Sequence, residues 1–309
     1  FKPAKTLFEF QYGQINILTK RDYSFQVTQM FSSPKAYLEQ KKLAQSKIDY
    51  SQKDFEWQKK QLSYEIKKLY YEGLVLNKKI ELLKNKKLMY EKLVKSAKVK
   101  HETGETHLLD KISAETYFKE IIQQINASEM EVIQHQYALA LLLNVEESVT
   151  WDTATHFKLN ILDTTKMGNE NMWVNLWKMQ KDIASQETKV AKANRQPDWK
   201  LAYYGMSIEN VSLAQVYQLG FALPLFNKGY KADIQASKVK ERMAEVEYLY
   251  QKQIYNIEVK TLLAEIEKQM FILEHYEKDA LLQADLIFQN VGKSYQLGEI
   301  DYTTFVQNS

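Results

Sequence analysis

Hydrophobic and polar positions alternate at two places in this chain, and each alternating stretch is followed by a long stretch of helical spacing. Residues 6–12, Thr-Leu-Phe-Glu-Phe-Gln-Tyr, put Phe8, Phe10 and Tyr12 on one face. After a polar link from Gly13 to Asp22, Tyr23, Phe25 and Val27 alternate with Ser24, Gln26 and Thr28. A period of two sends the two sets to opposite faces of a strand, so residues 5–31 are predicted to form a β-hairpin. The pattern returns over 198–226. There Trp199, Leu201 and Tyr203 open one strand, and Tyr217, Leu219, Phe221 and Leu223 alternate with Gln218, Gly220 and Ala222 in the next. In both hairpins one face is aromatic and the other polar or small.

From Pro34 the period changes. Leu62, Ile66, Leu69, Gly73, Leu76, Ile80 and Leu83 are spaced 4-3, and the spacing runs on through Lys87, Tyr90 and Val94. That is a coiled-coil seam, and it predicts a helix over 34–97, about 95 Å long at 1.5 Å per residue. A tip turn is expected over 98–107 and a return helix over 108–143, with Ile112, Phe118, Ile121, Ile122, Ile125, Val132 and Ile133 as its apolar positions. Asn169 and Asn171 offer caps for a helix over 172–195. A further helix is expected over 230–290, with Val239, Met243, Val246 and Tyr250 and then Leu263, Ile266, Met270 and Leu273 as a register-shifted seam. A second tip turn follows over 291–303, before a truncated return helix.

These elements are written twice. Phe31 and Phe226 close the two alternating stretches, and a Gly-Glu pair follows each: Gly104-Glu105 after 73 residues and Gly298-Glu299 after 72. The first repeat covers 1–150 and the second 169–309, with a connecting segment at 151–168. A repeat this long is a duplicated structural unit and not a short-period solenoid.

Composition sharpens the picture. The 309 residues hold 9 Gly and 4 Pro, and residues 35–196 contain no proline at all, which leaves very long helices possible. The 42 basic and 39 acidic residues give a balanced net charge of +3, with no nucleic-acid footprint. Without cysteine there is no disulfide and no thiolate site. The longest purely apolar run, Tyr137 to Leu143, is far short of a spanning helix, so any membrane crossing would have to be made by strands. Strands that are aromatic outward and small or polar inward suit that role. The chain opens on Phe1 with no initiator Met and reads as a fragment or a processed chain.

Several local motifs, taken with this layout, resemble the TolC family of outer-membrane efflux channels. They are Gln29-Met30-Phe31-Ser32-Ser33-Pro34 and Leu223-Pro224-Leu225-Phe226-Asn227-Lys228-Gly229 at the strand-to-helix junctions, Gln196-Pro197-Asp198 before the third strand, and Gly104-Glu105 with Asp110 beyond it. Gly13-Gln14-Ile15-Asn16 and the first junction are similar to the heavy-metal branch of CusC and CzcC type. The resemblance implies a mainly α protein with a β-barrel portion: four strands per chain, twelve in a homotrimer, continuous with a periplasmic α-helical barrel. Residues 151–168 become its equatorial segment. It implies lipid contact by Phe8, Phe10, Tyr12, Tyr23, Phe25, Tyr217, Leu219 and Phe221. It also implies a periplasmic tip, with adaptor contact, at Gly104, Glu105, Asp110, Gly298, Glu299 and Asp301. The implied partners are further copies of the chain, a periplasmic adaptor, an inner-membrane RND-type pump and outer-membrane lipid. No cofactor, metal or catalytic residue is implied.

The residues themselves point away from an enzyme. His101, His107, His135, His156 and His275 are scattered, and no phosphate loop, HExxH or GxSxG is present. His101, Glu102, Glu105 and His107 gather at the first tip and read as a polar, solvated turn ahead of a metal site. The competing reading is a soluble coiled-coil scaffold with hairpin docking modules. Such a scaffold gains nothing from an uninterrupted aromatic face on open strand edges.

Overall fold

The computed structural model describes residues 5–13, 22–147, 149–151, 171–208, 211–223, 228–300 and 304–305. Strands β1 (Leu7–Gly13) and β2 (Asp22–Phe31) lead into α1 (Pro34–Glu102), which returns as α2 (Leu108–Leu143). Helix α3 (Met172–Ala193) precedes β3 (Asp198–Ile208) and β4 (Val211–Ala222). Helix α4 (Lys228–His275) passes through a π turn, Tyr276–Ala280, into α5 (Leu281–Leu297). The long helices overrun the ends expected from spacing, α1 to Glu102 and α5 to Leu297, because each stops only where a glycine permits a left-handed backbone.

The chain divides into two compact units, one of residues 1–57 and 165–259, the other of 58–164 and 260–309. The first unit holds an antiparallel four-stranded sheet in the order β1-β2-β3-β4. In it α3 runs antiparallel to the start of α1. Gln186 donates to Glu39 O at 3.1 Å and to its Oε2 at 2.6 Å, Gln180 donates to the Tyr50 hydroxyl, and Trp57 stacks on Trp173. The hydrogen bond from Gln186, helped by Lys42, holds the Glu39 carboxyl below its ordinary range.

Helix α4 meets α3 with a different face from the one its apolar spacing suggested. Val239, Met243, Val246 and Tyr250 are exposed. The line turned inward is Ile234, Ser237, Glu241, Ala244, Tyr248 and Gln251, again at 3-4 spacing. Ser185 and Thr188 hydrogen-bond the Glu241 carboxylate and lower its pKa, and Lys181 lies 5.3 Å from the Tyr248 ring centre. The contact with α3 is therefore a polar seam, because α3 offers hydroxyls and an amine there.

The second unit holds the hydrophobic core of Leu83, Tyr90, Leu93, Ala97, Ala114, Ile121, Ile125, Tyr295 and Phe305. The inward line of α2 is Ala114, Phe118, Ile121, Ile125, Ser128, Val132, His135 and Leu139, an unbroken 4-3 pattern. Ile112 and Ile133, taken from spacing as apolar contact positions, are exposed. The ion pair Lys84–Glu129 flanks the α1/α2 seam, and His135 Nε2 lies 3.5 Å from a Glu72 carboxylate oxygen across it. Asn144 ends α2 in a left-handed conformation, and the chain then brings Trp151 back onto α1. There its indole N–H donates to Tyr70 O at 2.9 Å.

Candidate functional site

The sheet has two chemically distinct faces, and the register shows which residue lies on each. Phe8, Phe10 and Tyr12 of β1 pair with Val27, Phe25 and Tyr23 of β2. Val27 and Phe25 pair with Tyr203 and Gly205 of β3, and Phe31 with Trp199. Trp199, Leu201 and Tyr203 pair with Phe221, Leu219 and Tyr217 of β4. Directly paired residues share a face, so all eight residues singled out from sequence as an aromatic face lie on one side of one sheet. Trp199, Leu201 and Tyr203 complete it. Their place beside the other strands was invisible until β2 and β3 were paired.

No Asp, Glu, Lys, Arg or His of the described register rows lies on that face. Its rings are open to the outside, from Tyr23 at 39% exposed to Tyr217 at 75%. Aromatic contacts run between strands: Trp199 to Phe221 at 6.3 Å, Phe25 to Tyr203 at 5.6 Å and Tyr203 to Tyr217 at 5.1 Å between ring centres. Phe25 and Tyr203 are partly covered, and Phe25 is the ring set against a glycine. It lies across Gly205, where an added Cβ would come within 2.7 Å of its ring.

The opposite face carries Ser24, Gln26, Thr28, Ala202, Gln218, Gly220 and Ala222. Ser24 and Ala202, on the two central strands, are only 1% and 2% exposed, whereas Glu9, Gln218 and Ala222 on the outer strands are exposed. Sequence alone suggested a face of polar or small residues, and the register adds charged and larger ones. Glu9 pairs with Gln26, Asp22 with Gly13, and Lys200 with Met30 and Gly220. Larger side chains, Tyr204 and Val216, also belong to it. The sheet ends on β1 and β4, each hydrogen-bonded to a single neighbouring strand within the chain.

The two Gly-Glu pairs are geometrically the same. Gly104 has φ +80° and Gly298 φ +76°. Gly104 N–H donates to His101 O and Glu105 N–H to Lys100 O; Gly298 N–H donates to Tyr295 O and Glu299 N–H to Ser294 O. Each is a Schellman motif, which satisfies the last carbonyls of a helix and lets the chain reverse. Glu105 and Glu299 are both exposed, and the Glu299 carboxylate accepts from the Ser294 hydroxyl at 2.9 Å. Asp110 plays a local role: its Oδ2 accepts from the Thr106 hydroxyl and from the His107 backbone N–H, capping α2. Asp301 and the residues just beyond it lie outside the described residues, as do the Pro224–Phe226 junction and the 152–170 segment.

One residue of the tip escaped sequence reading. Lys100 lies 4.6 Å from the centre of the Tyr295 ring and its ammonium donates to Tyr295 O at 3.4 Å, so a cation meets the carbonyl end of α5. Burial, and then the negative charge of Asp110, raise the Tyr295 pKa above its ordinary value. Phe305 stacks on Tyr295 at 4.9 Å. Among the described residues no group of three or more His, Cys, Asp or Glu side chains converges as a metal site, His101, Glu102, Glu105 and His107 included. No helix among them is long and apolar enough to cross a membrane, which leaves a β-barrel crossing untouched.

The fold is the one seen in solved outer-membrane channel proteins. The chain is similar to VceC from Vibrio cholerae, with a TM-score of 0.81 at 14% identity over 98% of this chain and 79% of that one. It is similar to the channel CusC, with a TM-score of 0.76 at 16% identity over 98% and 75%, and to the outer-membrane channel OprN, with 0.83 at 13% over 98% and 73%. No protein-family model and no curated protein sequence matches the chain.

Proposed function

We propose that the protein is the outer-membrane channel of a tripartite efflux system, a passive conduit without catalysis. It exports small solutes or metal ions delivered from the periplasm by an inner-membrane RND-type pump through a periplasmic adaptor. The observation that carries this reading is the charge-free aromatic face running across all four strands of a sheet with two open edges. Lipid cannot hydrogen-bond an open edge, so the strands need further chains to close them. Three copies supply twelve strands, enough for a closed barrel.

Exposed apolar lines on the helices support the same assembly. Ile48, Phe55 and Leu62 on α1 and Val239, Met243, Val246 and Tyr250 on α4 stand at coiled-coil spacing and are left exposed by the described residues. On this reading the aromatic face meets lipid, the Ser24/Gln218 face lines water, and the Gly104 and Gly298 turns meet the adaptor. Mass measurement in detergent is the test. A trimer that needs detergent is expected, and a monomer that stays soluble without it would overturn the reading.

A further inference from the structure

Charge is unevenly shared between the two repeats. Residues 78–98 of α1 hold eight lysines and two glutamates, whereas residues 264–290 of α4, the π turn and α5 hold six acidic residues and two lysines. The whole chain is nearly balanced at +3, so neither stretch is a consequence of overall composition.

Both stretches belong to the second unit, and within it they do not neutralise each other. From Ala264 to Asn290 every residue whose side chain is described is exposed, except a partly covered Ala280. Among the described residues Lys79, Lys86 and Lys92 have no ion-pair partner, and neither do Glu267, Glu277 and Asp285. Lys78–Glu81, Lys95–Glu91, Lys268–Glu265 and Lys278–Glu274 are pairs along a single helix surface, a kind worth little.

The duplication sets the two stretches at one level. Phe31 and Phe226 are 195 residues apart and Gly104 and Gly298 are 194 apart, so Met270 and Glu274 are the counterparts of Val75 and Lys79. In each helix the charge stands four residues after an exposed apolar side chain, on the same face. Leu82 with Lys86, and Leu281 with Asp285, repeat the arrangement. By the same offset Glu274, Glu277, Asp279 and Asp285 each fall within two residues of an α1 lysine. Exposed apolar side chains flanked by opposite charges are the two halves of a helix-to-helix contact whose partner is chosen by charge.

We propose that the acidic face of α4 and α5 docks on the basic face of α1 in a neighbouring copy of this chain. The contact joins two different surfaces, so it is heterologous and passes from copy to copy around a ring. Like faces repel, which disfavours a twofold pairing of α1 with α1 or of α5 with α5. The number of copies, three, rests on the channel reading; the choice of faces rests on the charges and the repeat.

The chain has no cysteine, so introduced thiols report cleanly. Chains carrying Lys92→Cys and chains carrying Asp285→Cys, both exposed positions, are co-expressed, purified in detergent and treated with a short bismaleimide. A mixed covalent dimer is expected from the two together and none from either alone. Lys79→Cys with Glu274→Cys is a second reporter at equivalent positions. Adding Lys79→Glu to the Lys92→Cys chain lowers the mixed product, Glu274→Lys in the other chain restores it, and added salt lowers it in the parent pair. The proposal is overturned by dimers from one single-thiol chain alone, by bridging within one chain when both thiols are placed on it, by failure of both reporters, or by a yield indifferent to both reversals. Mass in detergent keeps the two readings apart: a trimer without mixed dimers sinks the docking and leaves the channel, whereas a monomer sinks the channel reading as well.

Discussion

Gly73 shows how one residue ties two segments together. It sits in the α1 seam, where a methyl group would approach the Trp151 indole to 2.2 Å, while the indole N–H bonds Tyr70 O. Glycine in a helix interior costs about 1 kcal/mol against alanine, so the gap is kept for the indole. Gly73→Ala should expel Trp151 and destabilise the second unit by about 1–3 kcal/mol. In that background Trp151→Ala should cost almost nothing further, and additive losses in a denaturant double-mutant cycle would refute the clasp. Gly104 and Gly298 are held for a different reason, their left-handed backbone. Alanine at either should lower the melting temperature through about 1–2 kcal/mol of steric strain, and unchanged melting of both variants would contradict the geometry. Tyr295 supplies a pH prediction. Its folded pKa lies above that of the unfolded chain, so folding retains the proton and the contribution is complete below about pH 10. It is lost as pH rises through the folded value. Tyr295→Phe should therefore melt with a shallower alkaline decline than the parent, and parallel curves would remove the phenol from the tip core.

Among the elements, the sheet was the most legible in sequence and the long helices the least. Alternation in β1, β2 and β4 is a two-residue signal, and a strand exposes it whatever its neighbours are. Phe221→Arg should cost insertion about 2–4 kcal/mol if the residue lies near mid-bilayer, and Gln218→Arg, on the other face, should be tolerated. Equal yields of folded, membrane-inserted protein from both variants would contradict the assignment of faces. Helices gave weaker clues. On α2 the seam passes through Ala114, Ser128 and His135, residues with little or no hydrophobic signal, so Ile112 and Ile133 looked the better candidates. On α4 the apolar line was visible but answered a different question. It marks the face left uncovered by this chain, whereas contact with α3 is made by Glu241, Tyr248 and their polar neighbours.

At the scale of the whole molecule, the duplication read from Gly104-Glu105 and Gly298-Glu299 reappears as two Schellman turns with matching hydrogen bonds. The two copies differ in what surrounds them. From Leu83 to Ala97 the seam of helix α1 is buried against α2, while α4 and the start of α5 leave Leu262, Ile266, Phe271 and Leu282 exposed. Subunit association should cover the α4 line near Met243. On the proposed trimeric assembly, Met243→Glu should weaken subunit cross-linking in detergent while leaving strand content unchanged, and undiminished cross-linking would exclude α4 from the interface.

Sequence by itself determined the things that depend on local period and backbone freedom. These were the strand faces around Phe10 and Phe221, the helical run after Pro34, the glycines that end each rod, and the repeat that links them. Each is written within a few residues, where chain geometry alone converts spacing into direction. Only the tertiary structure decided which helical face meets which neighbour, that Trp151 closes on Gly73, that Lys100 rests on Tyr295, and that a π turn sets the register of α5. Those choices depend on complementarity between segments far apart in sequence. A buried serine or glutamate can win such a contact when its partner offers the matching hydrogen bond.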